Sequence, residues 1–240
     1  YGGDGARLIA TLAQPDPVSQ AACQSLTDPA DCGNWVVTDS WEIPASQVSG
    51  VYLAKLLPDP AGGSNGSHIL FVIRDDTGGS DILMQTADPT WMAYNPYPTT
   101  VLFDSSATSL YNGAARVSYD RPHRRSVAKY LRTFFGAQLH LVRFLERNGY
   151  DVSYFAGVDA ARRGAEIAEH RVWISSGHDE YWSREMRDAV NAARDAGTHL
   201  VFLSGNLMYW KTRWEDGFRT MVGYKTATHS HADDPDGLTS

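Results

Sequence analysis

Apolar and polar residues first alternate in short runs and later fall into longer blocks. Residues 6–12, 35–38, 51–57 and 69–74 are short apolar or alternating runs, separated by stretches rich in Pro, Gly, Asp and Ser, as strands between turns are. Val51-Tyr52-Leu53-Ala54-Lys55-Leu56 and His68-Ile69-Leu70-Phe71-Val72-Ile73 flank a Pro-Gly-Ser-Asn loop, which predicts a hairpin of a small sandwich. No helix is predicted before residue 77.

From there strands alternate with helices. Residues 82–86, 100–103 and 115–119 read as strands. The segment 127–148 sets Leu131, Phe134, Phe135, Leu139, Val142 and Leu145 at helical spacing before Gly149 ends it. A strand at 151–155, a helix near 160–168 and a strand at 171–175 follow. Ser183 is a good N-cap with Glu185 and Asp188 near the helix start, Gly197 stops that helix, and 198–203 is a last apolar strand. The predicted class is α/β: a β-sandwich-like region, residues 1–76, packed on a doubly wound α/β domain, residues 77–240. Ligands bind beyond the carboxyl ends of the strands in such sheets, where residues 176–181 and 204–206 fall.

With 240 residues and 42% hydrophobic content there is material for a substantial core. The net charge of −7 leaves no basic surface for a phosphate backbone, since the basic runs 121–125 and 162–163 are short; nucleic acid is not an expected partner. No apolar run approaches the roughly 20 residues of a membrane span. Cys23 and Cys32 sit among Pro, Asp, Ser and Thr, where a local disulfide is sterically easy. That pair predicts a secreted or cell-envelope protein, and the start at Tyr1 is compatible with a removed leader. Asn65-Gly66-Ser67 reads first as hairpin loop, and the tail from His229 through His231 to Asp236 as a solvated terminus.

The candidate chemistry centres on Ser176-Gly177-His178-Asp179-Glu180-Tyr181-Trp182. Two residues apart, His178 and Glu180 would point to the same side of an extended segment and Asp179 away. In the alternative, His178 is an ordinary strand-end histidine and Glu180 caps the helix opening at Ser183. Polar groups this concentrated after a buried strand need partners. No cysteine stands at a strand-to-helix turn and there is no His-Glu-x-x-His; the one Gly-x-Ser-x-Gly match, residues 62–66, lies in the loop between the two hairpin runs and not at a strand-to-helix elbow.

The runs Tyr1-Gly-Gly-Asp-Gly-Ala-Arg7, Ser49-Gly-Val-Tyr52, Trp91-Met-Ala-Tyr94-Asn95, Ser118-Tyr-Asp-Arg-Pro122, Gly149-Tyr-Asp-Val152, Gly177-His-Asp-Glu-Tyr-Trp-Ser183 and Ser204-Gly-Asn206 carry a resemblance. In order and spacing the chain resembles the C-terminal region of the large (beta) subunit of N,N-dimethylformamidase and its exported bacterial relatives; the α/β half also resembles glutamine-amidotransferase-like folds. The resemblance implies one ferric iron held by two tyrosinates and a glutamate, carried over to Tyr52, Tyr94 and Glu180. Hard oxygen anions suit that ion. Tyr97 competes with Tyr94, and Tyr52 could equally be a packed strand aromatic. It also implies hydrolysis of a small amide C–N bond, with His178 as proton shuttle or oxyanion donor and Asn206 and Asn95 as orienting groups. Two other functions stay open: an extracellular carbohydrate- or protein-binding module, and a trehalose-utilisation-type enzyme with another metal. The family pattern continues past Ser240, so the α/β domain is expected to be incomplete at its C-terminus. A companion segment or a homo-oligomer would then supply the rest.

Overall fold

The computed structural model describes residues 6–12, 18–25, 29, 31–57, 67–97, 114–123 and 133–224. Its centre is a parallel sheet of β3 (Ile82–Gln85), β5 (Val152–Phe155), β6 (Val172–His178) and β8 (His199–Gly205), ordered β5-β3-β6-β8. Successive side chains leave a strand on opposite faces, and here both faces are apolar. Leu83, Phe155 and Trp173 pack on one side with Ala160 of α3 (Gly157–Arg162) and with Met186, Val190 and Ala193 of α4 (Arg184–Asp195). Met84, Tyr154 and Ile174 pack on the other with Val142 and Leu145 of α2 (Leu139–Arg147) and with Trp91 of α1 (Asp88–Tyr94). Helices therefore cover both faces, as the doubly wound α/β expectation requires.

After β3 the chain places β5 on one side of it and then β6 on the other. The strand order reverses between β3 and β6, and the crevice beyond their carboxyl ends is the switch point where such sheets bind ligands. Trp173, fully buried on β6, contacts Trp182 and Phe202 edge-on at 5.9 and 5.5 Å and donates from Nε1 to Gln85 Oε1 at 3.3 Å.

Several local expectations hold. Ser183 Oγ accepts from Met186 N at 3.3 Å and starts α4, while Gly197 takes a φ of 108° that a side chain would resist. The hairpin forms as β1 (Gly50–Leu56) and β2 (Ser67–Ile73), with Tyr52 opposite Phe71. Cys23 and Cys32 form a disulfide. Among the described residues no helix is long and apolar enough to cross a membrane.

Others need correction. Residues 6–12 and 35–38 are not strands: Leu8 is 80% and Val37 87% exposed, so these runs bury no face against which a strand could form. Among the described residues the β region is a hairpin packed beside α2 and β5. The helix expected near 160–168 breaks after α3 into a 3-10 turn, Gly164–Glu169. A Cβ at Gly164 would lie 2.2 Å from Ala189 Cβ, which shows how closely that turn approaches α4. The described part of the helix expected at 127–148 is a π-helical turn, Phe134–Gln138, followed by α2. The strand expected at 100–103 lies outside the described residues.

A second sheet is new relative to the sequence. β4 (Arg116–Ser118), β10 (Thr220–Val222) and β9 (Trp210–Glu215) pair antiparallel, and β7 (Tyr181–Ser183) joins β9 in parallel. Its core is Met92, Val117, Tyr181 and Met221. The strand read at 115–119 thus belongs to this sheet, not to the parallel one.

Trp173→Ala should cost about 3–5 kcal/mol, the range for deleting a buried large aromatic, and urea unfolding measures it. A loss below about 1 kcal/mol would mean that the two helix-covered faces do not depend on this ring.

Candidate functional site

β6 runs out at the switch point through Gly177, whose φ of 80° turns the chain as no side chain readily would. Beyond it the extended backbone sends His178 and Glu180 to one side. His178 Nδ1 lies 3.0 Å from Glu180 Oε1, and Tyr94 Oη donates to Glu180 Oε2 at 2.8 Å. Tyr94 closes α1, the short helix that leaves β3, so the two strands flanking the switch point supply the phenol and the carboxylate. Edge contact with Tyr181 at 6.2 Å steadies the Tyr94 ring.

Glu180 is 2% exposed, and its main chain is held as firmly as its side chain. Its N–H donates to Thr90 Oγ1 at 2.9 Å and its carbonyl accepts from Trp210 N at 2.8 Å. Met208 N adds a bond to Asp179 O at 3.0 Å. The His178 side chain is 26% exposed and faces the opposite oxygen of Glu180 from Tyr94. With Nδ1 on Glu180, its Nε2 is the nitrogen free to work. It lies over Gly205, where a Cβ would stand 3.6 Å away.

Two further carboxylates are buried nearby. Asp179 points the other way and accepts from Ser175 Oγ at 2.8 Å; burial pushes its carboxyl up to about 7, with the Ser175 bond opposing. Asp88 accepts from Thr86 Oγ1 at 2.8 Å, from Tyr119 Oη at 2.9 Å and from the Gly157 and Val158 amides that open α3. Burial raises its pKa, and burial beside Asp88 raises that of Tyr119.

The structure therefore brings together Tyr94, Glu180 and His178. Tyr52 makes no hydrogen bond to them: its hydroxyl donates to Val48 O at 2.7 Å and accepts from Gln47 Nε2 at 2.6 Å, with the ring stacked on Phe71. Tyr97 packs edge-on against Trp35, so Tyr94 is the tyrosine that meets Glu180. Asn95 is fully buried and donates to Pro122 O at 2.9 Å, a brace for the α1 exit. Asn206 is an exposed turn residue with a φ of 50° at the end of β8. No group of three His, Cys, Asp or Glu gathers as a metal cluster among the described residues. The sequence assigns no role to Thr90, Asp88, Tyr119 or Arg121. Asp88-Pro89 directly after a strand was the available signal, since proline favours the first turn of a helix.

The buried Asp179 carboxyl gives a pH signature in the metal-free protein. Its folded pKa is raised, so the fold holds a proton that the unfolded chain releases. That contribution is complete below about pH 4 and is lost as pH rises through 7, with a slope approaching about 1.4 kcal/mol per pH unit. Asp179→Asn should flatten this part of the stability profile; an unchanged profile would show that the carboxyl is not protonated in the fold.

No curated protein matches the chain. The family described as N,N-dimethylformamidase beta subunit-like, C-terminal, matches it over residues 1–240. Because that match spans the whole chain, including α1 and the end of β6, the protein belongs to the N,N-dimethylformamidase beta subunit-like C-terminal family.

Proposed function

We propose that this chain is the metal-holding part of an amide hydrolase, in which Tyr94 and Glu180, joined by Tyr52, bind one ferric iron and the substrate is a small amide such as a substituted formamide. The observation that carries this reading is the bond between Tyr94 Oη and the buried Glu180 carboxyl group, which also faces His178 Nδ1. Burying a carboxylate is costly unless charge and hydrogen bonds compensate it, and a metal ion bound there would add such charge. Phenolate and carboxylate oxygens are the hard donors that ferric iron prefers. Tyr52 fits less readily, since it would first give up its bonds to Val48 and Gln47.

A bound ferric ion would supply Lewis acidity toward the amide carbonyl and acidify a water beside it. The chain's own part is proton management. Glu180 fixes the orientation of the His178 ring through Nδ1. Nε2 can then take the proton of the attacking water and return it to the leaving amine as the C–N bond breaks. The Cys23–Cys32 disulfide favours an extracytoplasmic location.

Ferric loading followed by metal analysis and a visible spectrum tests this directly. The expected result is one iron per chain with the colour of phenolate-to-iron charge transfer. Tyr94→Phe should remove most of that colour and Glu180→Gln should strip the metal. His178→Ala should keep the iron but lower amide hydrolysis about 10²- to 10⁴-fold, the usual worth of a general base. Colourless, iron-free protein after loading would end the proposal.

A further inference from the structure

We infer that Arg121 is a positioning residue of the candidate site, clamping the end of α1 so that the Tyr94 phenol stays against Glu180. The inference rests on the reading of Tyr94 as a ligand and adds to it how that ligand is held.

Arg121 is 7% exposed and forms no ion pair with a carboxylate among the described residues. Its guanidinium is spent on main-chain carbonyls. Nε donates to Ser118 O at 2.9 Å, Nη1 to Asn95 O at 2.9 Å and Tyr97 O at 2.6 Å, and Nη2 to Met92 O at 2.5 Å. Three of these four acceptors bracket Tyr94, two residues before it and one and three after it. The last carbonyls of a helix have no intrahelical donors, and a cation there is favourable. α1 has no basic residue in its own last turn, so Arg121 brings that charge from another element. Burial lowers its pKa to about 10, which leaves it protonated at neutral pH.

Ending a helix does not require a buried arginine, because a glycine or a solvated carbonyl would do. What the arginine adds is a fixed orientation, since its planar fork holds several acceptors at once where an ammonium could not. The rest of its segment acts in the same sense. Tyr119 Oη bonds Asp88, the first residue of α1, and Pro122 O accepts from Asn95 Nδ2 just past the last. Residues 118–122 thus grip both ends of a seven-residue helix. The segment is tied in turn to Cys32, whose N–H donates to Asp120 O at 2.8 Å, and to Arg219, which pairs with Asp120. Without the clamp α1 could roll, and the phenol at its end would leave the carboxylate.

The test compares wild type with Arg121→Lys, which keeps the charge, and Arg121→Gln, which keeps donors without it. In ferric-loaded protein both variants should lose iron affinity by about 10- to 100-fold, as when a partner that orients a ligand is removed. They should also weaken the charge-transfer band per bound iron, while far-ultraviolet circular dichroism stays that of wild type. In metal-free protein, amide exchange at Asn95 and Tyr97 should quicken at least about tenfold relative to amides of the parallel-sheet core, reporting local opening. Should the arginine variants fail to fold, Asn95→Ala, which removes the tie to Pro122 and the long bond from Tyr97 N, should lower iron affinity and quicken exchange at the Asn95-position amide in the same direction by less. Folded variants with wild-type iron affinity, band and exchange would overturn the inference. If wild type itself takes no iron, the ligand reading fails, and the exchange measurement alone decides whether Arg121 holds the end of α1.

Discussion

Carboxylates withdrawn from water must be given donors or a cation, and the crevice between β3 and β6 withdraws Asp88, Asp179 and Glu180. Much of the local structure is the set of partners this requires. Thr86, Tyr119 and the first amides of α3 serve Asp88; Ser175 serves Asp179; Tyr94 and His178 serve Glu180. Because these partners come from α1, α3 and β6 and from the residues that directly follow β3 and β4, satisfying three acids ties both sheets and two helices to one point. The parallel sheet provides the location, and the acids determine what must surround it.

Much of this was legible in the sequence where a short-range rule applied. The two-residue period put His178 and Glu180 on one side and Asp179 on the other. Ser183 and Gly197 bounded α4 as cap and stop, and the spacing of the cysteines allowed the bond they form. The strand-end position of residues 176–180 followed from the alternation of strand and helix alone.

What was not legible depends on partners distant in sequence. β4 and β10 are three residues each, too short to carry a period, and they exist because Ser118 pairs with Thr220. α1 spans about two turns, so its apolar spacing could not stand out from neighbouring loop. Arg121 looked like part of a basic cluster, although its partners are carbonyl oxygens, which leave no mark on residue type. The N-terminal runs failed for the opposite reason. Their residues have strand character, but residues 6–12 and 35–38 have no ladder to join. Tyr52 lies between these cases: its place in a strand was predictable, whereas the direction of its hydroxyl depended on Gln47 and Val48.

β6 ends at His178 and β7 begins at Tyr181, so Asp179 and Glu180 alone connect the parallel sheet to the mixed one at this point. A connection of two residues has no slack. One residue added or removed would flip the facing of Glu180 and break the register of β7 with β9 in the same event, so the length of this link is constrained more severely than the identity of either residue. Descendants of this chain can vary the chemistry at the crevice by substitution, but insertion and deletion at this link are closed to them.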